Sequence, residues 1–249
     1  MNNEKNIKNS KNKGFTLVEL AIVIVIIGLL VGGVVAGQEL IKQSQLQNLV
    51  KTVEGYKSAA LTYKAKFDAL PGDDMRAYNW FGSLCDSTPS NCNGDSDGVI
   101  VSNNTPFDNE ALRFWQHLVL SKIISGNFIG STSGGWPDVL QGRVLPKLGF
   151  KDVYLMVLQG TFATFPGFAY NNYMIVGRKI GAGSFPQFPF LSPEDAYNID
   201  TKMDDGKPWS GSIFIWPSWW TTPNPPNCIN GTDYNITYNG IDCHLNFGW

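Results

Sequence analysis

The sequence predicts an α+β fold: a long N-terminal helix whose second half packs on a small antiparallel β-sheet domain with extra helices and long loops. Three observations predict it. Residues 15–37 are almost wholly apolar, and apolar residues then recur at i, i+3, i+4, i+7 spacing as far as Phe67. Pro71-Gly72 stops that pattern, and Gly, Asn, Asp, Ser and Pro dominate residues 71–110. Short runs rich in β-branched and aromatic residues follow, separated by turn residues.

The first segment is basic. Lys5, Lys8, Lys11 and Lys13 against Glu4 give +3, which leaves −5 for the remainder of a chain whose net charge is −2. The lysine cluster is confined to this segment, so nucleic-acid binding is not expected. A basic segment followed by an apolar run is the order of a secretory signal, yet no A-x-A-like cleavage site follows the run. At about 1.5 Å per residue, residues 15–37 reach about 34 Å, enough to cross a bilayer. The lysines precede the span, so the N-terminus is expected in the cytoplasm and the bulk of the chain is expected to be exported.

Glu19 does not suit a plain membrane anchor. An intramembrane carboxylate costs free energy unless it meets a partner, and such charges usually carry function. A cut between Gly14 and Phe15 would place a new α-amine four residues from Glu19. The segment KGFTLVEL resembles the cleavage and methylation motif of type IV prepilins and of the pseudopilins of type II secretion systems. Basic leader, Gly14, Phe15, Thr16, Leu17, Glu19 and the apolar run all meet the pattern. The resemblance implies that a prepilin peptidase cuts after Gly14 and N-methylates Phe15. It further implies that Glu19 neutralises the terminal amine of an adjacent subunit during assembly.

The helix is expected from about Thr16 to Asp68. Leu46, Leu49, Val50, Val53, Tyr56, Ala60, Tyr63 and Phe67 line one face of its second half. The chain then divides into a leader (1–14, removed), a transmembrane or filament-core half (15–37), an amphipathic half (38–70) and an exported domain (71–249). Pilins often carry a mid-helix proline; this chain has Gly28, Gly32, Gly33 and Gly37 instead. Each costs about 1 kcal/mol of helix relative to alanine. They suit either a weak point in the helix or close helix packing.

In the exported region, NGDSDGVI alternates Asn93, Asp95 and Asp97 before Gly98, as in the first half of a calcium loop of EF-hand type. The position for a bidentate glutamate holds Asn104, so Glu110 is the candidate substitute. The alternative is an Asx-rich turn. Asp108 is expected to cap a helix with Leu112, Trp115, Leu118, Val119 and Ile123 on one face, which gives His117 a packing or surface role rather than a catalytic one. Segments 152–159, 172–177, 212–216 and 234–238 read as strands, and CHLNFGW as a last one. Between them Ser192, Pro193 and Asp195 open a helix in capping-box style, with Gly206 closing it. Asp200, Asp204 and Asp205 suit calcium, or a cap and a solvated face. LPGD, NGDSDG, residues 110–124 and IDTKMDDGKPWSG resemble segments of a large pilin-like subfamily.

The even cysteine count with an export signal predicts disulfides Cys85–Cys92 and Cys228–Cys243, the alternative being buried thiols. No CxxC pair and only two histidines argue against a common zinc site. Trp216, Trp219 and Trp220 are expected in the core or at a subunit contact, with a stacking surface for sugars as the alternative. No G-x-S-x-G, HExxH or phosphate-binding loop occurs, so no enzymatic activity is expected.

From these readings the chain is expected to be a structural subunit of a type IV pilus-like filament, minor or specialised, with a major subunit as the alternative. Its partners are copies of itself or homologous pilins, a prepilin peptidase and an inner-membrane assembly platform. It starts in the bacterial inner membrane and ends in a cell-surface or periplasmic filament. Two rivals remain: a pseudopilin of type II secretion, and a membrane-tethered monomer that binds sugar or calcium.

Overall fold

The computed structural model describes residues 14–101, 110–130, 144–159, 171–179, 186–215 and 227–249. The chain divides into two compact units, residues 1–44 and 45–249. Helix α1 is Leu17–Phe67, 51 residues, matching the expected span to within one residue at each end.

In the first unit, the side chains from Leu17 to Ala36 are all exposed. Leu17–Phe67 is, among the described residues, the one helix long and apolar enough to cross a membrane. A methyl group placed on Gly28, Gly32, Gly33 or Gly37 would meet nothing within 4 Å among the described residues.

In the second unit, Leu46, Leu49, Val53, Ala60 and Tyr63 are buried, and Val50, Tyr56 and Phe67 pack beside them. This is the face the spacing picks out, and burying one large apolar side chain contributes about 1.5–3 kcal/mol. Lys57 lies over the ring of Phe247, and Tyr56 meets Trp115 edge-on at 4.9 Å. The helix stops at Phe67 because Asp68 turns left-handed, at φ 55°. Arg76 then donates to the free carbonyl of Phe67.

The composition of residues 71–110 predicts loop, but the described part, 71–101, includes two short helices, α2 (Ala77–Phe81) and α3 (Pro89–Cys92). Pro89 pre-sets the first helical φ of α3. Helix α4 (Glu110–Leu120) buries Leu112, Trp115 and Leu118; the expected cap Asp108 lies outside the described residues. Strands β1 (Val153–Gln159), β2 (Asn172–Arg178), β3 (Ile213–Phe214) and β6 (Leu245–Gly248) form one antiparallel sheet in the order β1-β2-β6-β3. The C-terminal strand therefore enters the middle of the sheet, between β2 and β3.

Helix α5 (Pro193–Met203) has Ser192 at its N-cap, accepting the Asp195 N–H at 3.2 Å and donating to the Asp195 carboxylate at 2.6 Å. It ends three residues before Gly206, whose φ of 73° suits the turn that follows. The strand expected over 234–238 shrinks to a two-residue pair, β4 (Ile229–Asn230) with β5 (Asp233–Tyr234). β-Propensity in YNITY is overridden by turns: Ile236 N–H bonds Tyr234 O, and Tyr238 N–H bonds Asn235 O. Trp216, Trp219 and Trp220 lie outside the described residues.

Disulfides join Cys85 to Cys92 and Cys228 to Cys243, with Cα separations of 5.6 and 5.2 Å. The first closes over α3; the second brackets the β4–β5 pair.

Candidate functional site

The N-terminal site is built by a helix start. Leu17 is the first helical residue, which makes Thr16 the cap and Glu19 its third helical position. The Glu19 Oε2 accepts the Thr16 N–H at 2.8 Å and the Thr16 hydroxyl at 2.9 Å. Thr16 Oγ1 in turn accepts the Glu19 N–H at 3.3 Å. This is a capping box, in which each residue satisfies a backbone donor of the other. Phe15 is 87 % exposed and extends ahead of the box beside Gly14. The carboxylate thus has partners before any cut is made, and the bond between Gly14 and Phe15 lies just outside the first helical turn.

Residues 9–35 match the family model described as the prokaryotic N-terminal methylation motif. This chain carries the prepilin-type signal of type IV pilins and pseudopilins. No curated protein and no solved structure matches it. The prepilin-type signal supports a pilin or pseudopilin-type protein, structural in kind. It implies processing by a prepilin peptidase and assembly with other pilins. Together with the apolar helix, it fits anchoring in a membrane before assembly.

A second candidate site of this prepilin-type chain lies in the acidic loop. Carboxylate oxygens of Asp73, Asp95 and Glu110 lie within 4.8 Å of one another. Asp73 and Glu110 are each 2 % exposed, whereas Asp95 is open to solvent. Burial, the largest cause, lifts the Asp73 carboxyl to about 6 and that of Glu110 to about 7.

Backbone donors shape this cluster. Glu110 accepts the N–H groups of Asp95 and Val101, at 3.2 and 2.9 Å. Asp73 Oδ2 accepts the Gly98 N–H at 3.0 Å. Asn172, at the start of β2, holds the far end of the loop through the Ile100 N–H and the Gly98 carbonyl. The approach is close enough to demand glycine. A Cβ on Gly94 would lie 2.4 Å from the Asp73 Cα, and one on Gly72 would lie 2.3 Å from the Glu110 carbonyl oxygen.

Of the ligands expected from sequence, the structure brings Asp95 and Glu110 together. Asn93 Oδ1 instead accepts the Tyr78 N–H at 2.8 Å, and Asp97 Oδ1 accepts the Val99 N–H at 2.7 Å. Sequence reasoning missed Asp73; its signal is LPGD, a turn segment with an acidic residue directly after a glycine. It placed Thr16 in the motif but missed its capping role, although T-x-x-E at a helix start is a readable capping signature.

In the other two clusters, side chains already have protein partners. Asp200 accepts the Gly206 N–H and the Tyr234 hydroxyl, while Asp204 accepts the Ser212 and Ile213 N–H groups. Cys85 and Cys92 near His117 are disulfide-bonded and offer no thiolate.

Proposed function

We propose that the chain is a structural subunit, minor or specialised, of a type IV pilus-like filament. Residues 1–14 are its leader. Residues 15–37 hold it in the bacterial inner membrane with the N-terminus cytoplasmic, and residues 71–249 form the exported domain. Prepilin peptidase cuts between Gly14 and Phe15 and methylates Phe15. The assembly platform then moves the apolar helix from lipid into a bundle of like helices, on the cell surface or in the periplasm.

The observation that carries this reading is Glu19. It is the sole ionisable side chain from Phe15 to Gln38, and it stands at the start of a helix whose residues from Leu17 to Ala36 are all exposed. Its capping-box partner, Thr16, lies on the mature side of the cut, so those bonds survive cleavage. After cleavage the Phe15 α-amine becomes a stronger partner, because two opposite charges attract far more in apolar surroundings than in water. An amine from a neighbouring subunit does the same and gives each added subunit its register.

The test is intact mass and N-terminal sequence after co-expression with a prepilin peptidase. A chain starting at Phe15 and heavier by one methyl group supports the reading. A chain that still starts at Met1, or is cut near residue 36, overturns it. A pseudopilin of type II secretion shares this chemistry and would pass the same test. Recovery of the subunit from sheared surface filaments separates the two.

A further inference from the structure

We propose that Asp73, Asp95 and Glu110 form a calcium site that ties the end of α1 to the start of α4. Three facts carry it. The three carboxylates converge within 4.8 Å, from segments 70–74, 93–98 and the first residue of α4. Two of them are almost fully buried. Asp73 Oδ1 is buried and has no hydrogen-bond partner among the described residues, although Oδ2 is bound by Gly98.

An orphaned buried carboxylate oxygen costs the full desolvation of that atom. Beside a second buried carboxylate the cost rises, since neither like charge relieves the other. A divalent cation removes both penalties at once. The donors are all carboxylate oxygens, which suits a hard cation. The exposed Asp95 gives entry from solvent, and water completes the shell. Calcium is favoured over magnesium because the donors come from a loop with fixed backbone bonds rather than from a regular octahedral frame.

The backbone arrangement makes the site a fastener. The loop is already bound to Asp73 through Ser96 and Gly98, and to Glu110 through Asp95 and Val101. A cation between the two carboxylates locks these bonds as a set. Three carboxylates suit a dissociation constant on the order of 10⁻⁴–10⁻³ M, the range of extracellular modules.

The test uses the full chain in detergent, stripped with EDTA and titrated with calcium chloride to about 10 mM. One calcium per chain is expected by calorimetry, with Tm raised by about 5–10 °C. Magnesium at equal concentration gives a much smaller shift. Asp95→Asn, at an exposed position, keeps the calcium-free Tm and weakens calcium binding at least about tenfold. Asp73→Asn and Glu110→Gln abolish binding. Asp205→Asn, in the separate acidic cluster near Gly206, leaves it unchanged. No bound calcium at 10 mM overturns the proposal. So does a native-like response in Asp95→Asn, or a response lost in Asp205→Asn.

Discussion

His117 Nδ1 accepts a hydrogen bond from the backbone N–H of Gly72 at 2.9 Å, across 45 residues of chain. A backbone N–H only donates, so Nδ1 is the bare nitrogen and Nε2 carries the proton. That proton goes to the Cys92 carbonyl, 3.1 Å away. One neutral imidazole therefore joins α4 to the turn after α1 and to the Cys85–Cys92 loop. His117→Ala leaves a buried donor and a buried acceptor unmatched and opens a cavity. The expected cost is about 2–4 kcal/mol, or roughly 5–10 °C in Tm by calorimetry. His117→Gln, which offers both an acceptor and a donor, should recover part of it.

The second histidine has no such partners. His244 is buried, and neither ring nitrogen has a hydrogen-bond partner among the described residues. Burial lowers its pKa to about 4, against 6.5 for a free imidazole. The unfolded chain takes up a proton below pH 6.5 that the folded chain refuses until about pH 4. Stability is thus intact above pH 6.5 and falls as the pH drops towards 4. His244→Leu should match or exceed native stability at pH 7 and gain about 2 kcal/mol on it at pH 5. Asp73, Glu110 and Asp200 shift the opposite way and favour the folded state as pH falls. The imidazole effect is therefore read as the difference in Tm between native chain and variant at the two pH values. An unchanged difference would refute it.

The disulfides should differ in weight. Cys228–Cys243 spans 15 residues and Cys85–Cys92 spans 7. In the chain-entropy account their loss costs about 3 and about 2 kcal/mol respectively. Paired serine variants should lower Tm in that order. The Cys85/Cys92 variant should also disturb the Cys92 carbonyl that His117 holds, so its loss is expected to be partly shared with His117→Ala in a double-mutant cycle.

Glu19→Ala is expected to leave cleavage after Gly14 and membrane anchoring in place while filament incorporation falls at least tenfold. Thr16→Ala removes only the hydroxyl half of the capping box, and the new Phe15 amine can still reach Glu19. It should lose helix stability of about 1 kcal/mol and keep most incorporation. Immunoblots of membrane and sheared-filament fractions read both. Equal incorporation of Glu19→Ala and native chain would make the capping box the whole role of Glu19.

Much of this was legible in the sequence. Period and punctuation set α1 to within a residue at each end, because a 3.6-residue repeat over several turns has few rival readings. β1 and β2 were equally clear from YLMVLQ and NYMIV. The strand expected over 234–238 was misleading, since local propensity carries no information about a disulfide that brackets a turn. Asp73, despite its place in LPGD, was missed for a related reason. Its partners lie at positions 95, 98 and 110, and only the folded turn at Gly72 and Gly94 brings them together. Glu110 was reachable because a broken calcium pattern asks for a missing acid, and the next helix begins with one.

Gly28, Gly32, Gly33 and Gly37 give the chain by itself no return. Among the described residues nothing lies near enough to collide with a methyl group at any of them, and none has the backbone twist that requires glycine. Together they weaken the helix by about 4 kcal/mol relative to alanine. A polypeptide optimised for solitude would hold alanine at all four. In the proposed filament these positions serve either a weak point of the helix or a close approach of its neighbours, and which of the two is measurable only in company.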